Sequence, residues 1–279
     1  MSFGTYNPII LTSRTNDRRE RASRELLAHV ARTPVRPDIL AAVDDIALNL
    51  RDLSDRLDVP RTTVRHNLKR LLKEGLVEET IGNEYRTTEL GGAVLLGMDG
   101  FERRFETALK LSPLLECLPR DEIGVDVYSL TDATVTTTSQ ADPVAPLRRL
   151  EELVEQASRL DGYFPVYPLL GDIDDVVCRR DGFEATLFLT PGVADEQLSA
   201  DGAPETPAGG TAVELRVVDN GPQYGLAVTD RRALLLGLDE TDKPHVLLET
   251  TSASCHDWVG RRLDRIRSNT AVDAAEAAE

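Results

Sequence analysis

Between Arg61 and Lys73 the 279-residue chain carries five arginines or lysines and no carboxylate, although its formal net charge is −16. Residues 14–75 hold 14 Arg and Lys against 10 Asp and Glu, a local +4 that leaves −20 for the remainder. Arg61, Thr62, Thr63, Arg65, His66, Lys69 and Arg70 lie near the start of this basic run or away from its apolar stripe. Guanidinium, ammonium and hydroxyl groups on one surface are donors for phosphate oxygens and for base edges in a major groove. The chemistry expected of them is recognition of double-stranded DNA. His66 either touches a phosphate or base, or is solvated.

Such donors need a rigid element to carry them. In LRDLSDRLDVP, Leu50, Leu53 and Leu57 recur at helical intervals, giving a short helix with Arg51, Asp52, Asp55 and Arg56 toward water. Asp58-Val59-Pro60 ends it, because Pro60 disfavours the α region at Val59 and has no backbone donor. The basic run RTTVRHNLKRLLKEG then forms a second helix, with Val64, Leu68, Leu71 and Leu72 inward and Gly75 as its stop. Residues 76–80 and 85–88 read as two strands around Ile81-Gly82-Asn83-Glu84, a wing whose Asn83 and Arg86 would meet the adjacent backbone or minor groove. Helix, tight turn, basic helix and hairpin in this order resemble the winged helix-turn-helix of archaeal and bacterial regulators. The stretch from Leu53 to Gly91 is similar to the multiple-antibiotic-resistance-regulator and arsenical-repressor kind of domain.

The rest of the N-terminal part supports this unit. Asn16 or Asp17 is expected to cap a helix through RRERASRELLAHVAR that ends at Thr33-Pro34. VRPDILAAVDD follows as a helix with Ile39, Leu40 and Val43 inward, and residues 46–48 are expected to add a short strand against the wing. His29, beside core positions, reads as structural.

After the wing, Thr88 or Thr87 caps a helix expected from Glu89 to about Leu111. Its stripe of Val94, Leu95, Met98, Phe101, Phe105 and Leu109 needs burial, either in a homodimer or against the chain's own second domain. Ser112-Pro113 and Leu118-Pro119 then mark a connection. Expected beyond it are a strand at 133–138 and a helix from Asp142-Pro143 to Leu160, capped by Asp142 with Leu147, Leu150, Leu153 and Val154 inward. A strand at 164–170, a helix at 172–180, a strand at 184–189, a helix at 193–199 and a strand at 212–218 follow, with 201–210 as a mobile loop. Strands at 224–228, 233–238 and 246–249 then make an antiparallel meander, and a helix at 254–266 precedes a disordered acidic tail. The fold class is α+β / α/β: an N-terminal winged helix-turn-helix (1–88), a linker or dimerisation helix and connection (89–132), a mixed-sheet α/β effector domain (133–270) and a tail (271–279).

Several segments here, ADPVAPLRRLEELV, LTPGV, YGLAVTDRRALLLGLD and VLLETTSASCHDWVGRRLDRIR, resemble the effector domain of haloarchaeal regulators related to the methanogen filament regulator. TrmB-type sugar-sensing regulators are a more distant likeness. The resemblance implies an archaeal transcription regulator with a C-terminal sensory or dimerising domain.

Enzymatic readings find no support in the sequence. It has no GxSxG, GxxxxGK[ST] or HExxH, and no histidine is followed two places on by lysine as in phospholipase D-type sites. Cys255-His256-Asp257 is a poor metal site because adjacent side chains diverge, and the odd, scattered Cys117, Cys178 and Cys255 suggest no disulfide framework. No metal or cofactor is expected. A small-molecule effector could bind where sheet strands end, at Thr137, Ser139, Gln140, Asp142 and Thr190, although such residues also cap helices and shape turns. Only four lysines occur, and 48 Asp and Glu face 32 basic residues, a balance suited to a halophilic, cytoplasmic protein. No apolar run approaches a membrane span and no signal peptide is recognisable. The competing function is a winged-helix protein-interaction module that does not bind DNA.

Overall fold

The computed structural model describes residues 9–119, 122–166, 182–194 and 212–276, with side chains described from residue 20 to residue 269 of these, that of residue 212 excepted. The chain divides into two compact units, Met1–Arg103 and Arg104–Glu279.

In the N-terminal unit α1 (Ile9–Ala31) and α2 (Val35–Asp45) precede β1 (Leu48–Asn49), α3 (Leu50–Leu57), α4 (Arg61–Lys73), β2 (Val77–Thr80) and β3 (Glu84–Thr87). α1 starts before the expected caps, so Asn16 and Asp17 lie within it instead of at its end. The strand expected at 46–48 is displaced to Leu48–Asn49, where Leu48 pairs with Tyr85 of the wing. The three strands run in the order β1-β3-β2. Ile39, Leu40, Val43, Leu53, Val64, Leu68 and Leu71, expected inward on three helices, are buried together with Leu76, and the other expected residues, Leu50, Leu57 and Leu72, pack against them partly buried. At about 25 cal/mol per Å² of apolar surface removed from water, this cluster is the main favourable term of the unit.

The 29-residue α5 (Glu89–Cys117) contains the division between the units. Thr88 caps it, its Oγ accepting from the Gly91 N–H at 3.1 Å while donating to the Gly75 carbonyl at 2.7 Å. The helix passes through Ser112-Pro113 where a connection was expected. Pro113 cannot donate to the Leu109 carbonyl one turn back. The Ser112 hydroxyl does so in its place, at 2.9 Å. Of the expected stripe, Val94, Leu95 and Met98 pack in the N-terminal core, whereas Phe101, Phe105 and Leu109 are exposed; Leu111 and Leu114, outside that stripe, belong to the C-terminal core.

The C-terminal unit continues with β4 (Thr134–Thr137), α6 (Ala145–Glu155), β5 (Arg159–Phe164), β6 (Glu184–Leu189), β7 (Ala212–Val217), β8 (Gly225–Thr229), β9 (Ala233–Leu238), β10 (Pro244–Thr250) and α7 (Ala253–Glu276). Its seven-stranded sheet has the order β4-β10-β9-β8-β5-β6-β7, parallel only across β5-β6-β7. This is the mixed sheet expected. Period-two alternation sends Leu226, Leu235 and Leu248 to a core shared with α7, and Ala227, Leu234, Leu236 and Leu247 to one shared with α6. All six residues of β9 are buried because both faces of the sheet are covered.

Three expectations in this unit are corrected. α6 ends at Glu155, and Arg159–Phe164, read as a helix tail and a strand start, form β5. Asp142 does not cap α6, whose N-cap residue, Val144, makes no side-chain cap bond. α7 extends to Glu276, so the backbone is helical where a disordered tail was expected from 271. The helix expected at 172–180, the loop at 201–210 and Cys178 lie outside the described residues, as does all of the 193–199 helix beyond 194.

Candidate nucleic-acid interface

The geometry begins at the turn between α3 and α4. Asn49 caps α3, accepting from the Arg51 and Asp52 N–H groups at 2.9 and 3.0 Å. At the other end Asp58 takes a left-handed conformation, φ 51°, and the Ser54 hydroxyl donates to the Val59 carbonyl at 2.7 Å. Pro60, extended at ψ 137°, then starts α4, its carbonyl accepting from the Thr63 N–H at 2.8 Å. Gly75, at φ 70°, closes α4 with the Leu76 N–H donating to the Leu71 carbonyl.

Burying Val64, Leu68 and Leu71 turns Arg61, Thr62, Arg65, His66, Lys69 and Arg70 to solvent, with Thr63 half-buried. Among the described residues no ion pair engages Arg61, Arg65, Lys69, Arg70 or Lys73. The basic residues singled out in the sequence therefore share one open helix surface.

A buried polar contact fixes that surface. Arg36, 5% exposed, donates from Nε to Asn67 Oδ1 at 3.0 Å and from Nη1 to the His29 carbonyl. Asn67, on the inner side of α4, donates from Nδ2 to the Thr63 carbonyl at 3.0 Å. Burial, then the charges of Arg70 and Arg32, hold the Arg36 pKa below the usual guanidinium value. Sequence reasoning missed Arg36 and Asn67. Their only signal is a cation and an amide at core-facing positions of two helices.

In the wing, β2 and β3 pair antiparallel from Val77–Thr87 to Thr80–Glu84. Gly82 and Asn83 have positive φ, 101° and 58°, and Ile81 at the tip is fully exposed. Arg86 is exposed but donates to Glu78 Oε1 at 2.6 Å, so it would have to exchange that partner to meet a phosphate.

The expected effector residues are not brought together. β4 and β6 are separated by four strands, about 24 Å at ~4.8 Å per strand, which parts Thr137, Ser139 and Asp142 from Thr190. Asp142 is held by Arg148 in a two-bond contact of 2.6 and 3.0 Å, and Ser139 closes a turn with it. Thr190 donates to the Pro165 carbonyl at 3.3 Å. In the turn between β9 and β10, Asp239 accepts from Thr241 and Lys243.

Comparison with known proteins matches both units. Residues 24–110 fit the HVO_A0261 N-terminal domain, and residues 143–269 fit the middle domain of the methanogenesis regulatory protein FilR1. The two units are thus similar to the corresponding domains of these regulators. The chain is 40% identical over 65 residues to the uncharacterized HTH-type transcriptional regulator PH1916 of Pyrococcus horikoshii, covering 20% of this chain and 43% of that protein. It is 48% identical over 44 residues to PF0250 of Pyrococcus furiosus, another uncharacterized HTH-type regulator, covering 15% of this chain and 29% of the relative. The chain thus spans less than half the length of these curated relatives. Among solved structures, TrmBL2, an archaeal chromatin protein, aligns over 87% of this chain and 90% of its own at 16% identity and a TM-score of 0.36.

Among the described residues no helix is long and apolar enough to cross a membrane, and no cluster of His, Cys, Asp and Glu could hold a metal ion. In Cys255-His256-Asp257 the cysteine is fully buried, its thiol pushed up to about 12 by that burial and then by the Asp132 charge, and His256 Nε2 lies 3.1 Å from the Thr229 carbonyl.

Proposed function

We propose that this chain is a sequence-specific DNA-binding transcription regulator that reads the major groove with α4. The observation that carries this reading is the open basic surface of α4 in a chain of net charge −16. Arg61, Thr62, Thr63, Arg65, His66, Lys69 and Arg70 would face base edges and phosphates, and Asn83 and Arg86 of the wing the flanking backbone or minor groove. The regulator works as a homodimer on two half-sites about one helical turn apart. Exposed apolar side chains on α5, Leu96 at 75% and Leu109 at 70%, support self-association. Its C-terminal unit acts as a sensor, and no catalytic motif argues for an enzyme. The acidic excess suits a concentrated-salt interior, where base contacts and DNA shape outweigh phosphate charge.

Selection of bound sequences from randomised duplex DNA, at low and at molar potassium chloride, tests the reading. A two-fold-related motif is expected, and it should disappear with Arg65→Glu. If the wild-type chain enriches no sequence at either salt, the reading is wrong and the winged unit binds protein instead. Light scattering tests the dimer; a monomer at micromolar concentration refutes it.

A further inference from the structure

A cleft of about 870 Å³ opens in the C-terminal unit between α7, the loop 219–222 before β8 and the segment 122–124. Trp258, Arg261, Arg262, Arg265 and Asn269 line it at helical spacing, so one face of α7 supplies three guanidinium groups within two turns. Its size is that of a site for a small organic molecule.

The charge arrangement stands out in the sheet-bearing part of the chain. Every described arginine from Arg148 to Arg267 forms an ion pair except Arg261 and Arg265, which are exposed beside the cleft. Acidic side chains outnumber basic ones three to two, so partners are plentiful. Like charges four residues apart on a helix repel by a few tenths of a kcal/mol.

Arg262 is held differently. Its Nη2 donates to Glu122 Oε2 at 2.6 Å and to the Tyr224 hydroxyl at 3.2 Å, and Tyr224 donates to the same carboxylate oxygen at 3.0 Å. Glu122 neutralises this guanidinium and fixes its plane, while the buried Nε has no hydrogen-bond partner among the described residues. The opposite walls are backbone. A Cβ at Gly124 would stand 2.4 Å from Trp258 Nε1, and one at Gly221 2.3 Å from the Tyr163 ring, so both segments close on aromatic edges only because they are glycine.

We propose that this cleft binds a small organic phosphate. Arg261 and Arg265 supply fork-shaped donors matched to a phosphate's oxygens. Trp258 and Leu226 give an apolar wall for the carbon part, and Asn220 and Asp219 line the loop side as partners for its polar groups. This is a different place from the strand ends expected from the sequence. It names the ligand class for the sensor reading above, but binding here stands whether or not α4 binds DNA.

Trp258 is the sole tryptophan of the chain, so its fluorescence reports on this cleft. The intact protein is titrated, without DNA, with glycerol 3-phosphate, inorganic phosphate and citrate at constant ionic strength. A saturable change with glycerol 3-phosphate is expected, weaker with inorganic phosphate and weakest with citrate. The double variant Arg261→Gln/Arg265→Gln should lose at least tenfold in affinity, and Arg231→Gln, at an exposed turn away from the cleft, should lose none. Arg265→Glu, a single exposed change, should abolish binding and serves if the double variant does not fold. A response that never saturates, one that survives Arg265→Glu, or citrate binding as tightly as the phosphates would overturn the proposal.

Discussion

Arg36 Nε donates to Asn67 Oδ1 at 3.0 Å, across 31 residues of sequence, in the interior of the winged unit. The pair ties the candidate reading helix to α2, and through the His29 carbonyl to α1. Removing Arg36 strands the Asn67 carbonyl oxygen in the core. Arg36→Met should lower the stability of the N-terminal unit by about 3 kcal/mol, read as a shift in its urea midpoint. An unchanged midpoint would mean the contact contributes nothing.

Arg65 faces solvent and takes part in no ion pair among the described residues. Arg65→Ala should therefore leave the melting temperature within a degree or so and weaken DNA binding. If it contacts a phosphate, the slope of log affinity against log salt should fall by about 1. Equal slopes for the two proteins would assign Arg65 to a base edge or to no contact.

Burial first, and then the Arg36 charge, hold the His29 imidazole below its ordinary 6.5; Arg70 and Arg32 act the same way and Glu74 opposes them. Between the lowered folded value and 6.5 the unfolded chain binds a proton that the folded chain does not, so stability rises with pH there. The winged unit should be fully stable in this respect above pH 6.5 and weaken as pH falls below it. His29→Gln should flatten that limb of a urea-midpoint series between pH 7 and 5 (on the order of the ordinary histidine range). A limb as steep as in the wild type would clear His29 of the effect.

At Gly91 a Cβ would meet the Leu76 carbonyl oxygen at 2.0 Å and the Thr87 methyl at 2.7 Å. The contact lets α5 start directly against the end of the α4–wing turn. Although alanine favours helices, Gly91→Ala should destabilise the unit, by about 1–3 kcal/mol. A stabilised variant would show that the approach is looser than this.

The Cys255 thiol, fully buried and pushed up to about 12, should resist maleimide at pH 8 in the native protein and react once urea unfolds the chain. Peptide mapping by mass spectrometry distinguishes it from the other cysteines. Rapid native labelling would contradict the burial.

Much of the winged unit was legible because local signals agreed with one another. Leu50, Leu53 and Leu57 gave α3, Pro60 its turn, and Gly75 the end of α4, each bound to its place by backbone geometry within a few residues. The open cationic surface followed from the same periodicity. Long-range effects were not legible. Leu150, Leu153, Val154, Ala157 and Leu160 keep a helical rhythm past Glu155, yet pairing of Leu160 with Ala185 and Thr229 makes the last of them strand. Thr137 and Thr190 both stand at strand ends, but strand order, which sequence does not state, sets them far apart. Arg36 was missed because its partner is an amide in another helix, and the α7 cleft was hidden because loop and helix meet only in the folded unit.

The burial of Leu111 and Leu114 in the core of the seven-stranded unit sets where the chain may be cut. A fragment beginning at residue 133, where the sequence places the effector domain, would expose the apolar seat of those two leucines and invite aggregation. Starting at residue 104 retains them, and the soluble yield of the two fragments would measure how strongly the last turns of α5 belong to the domain that follows.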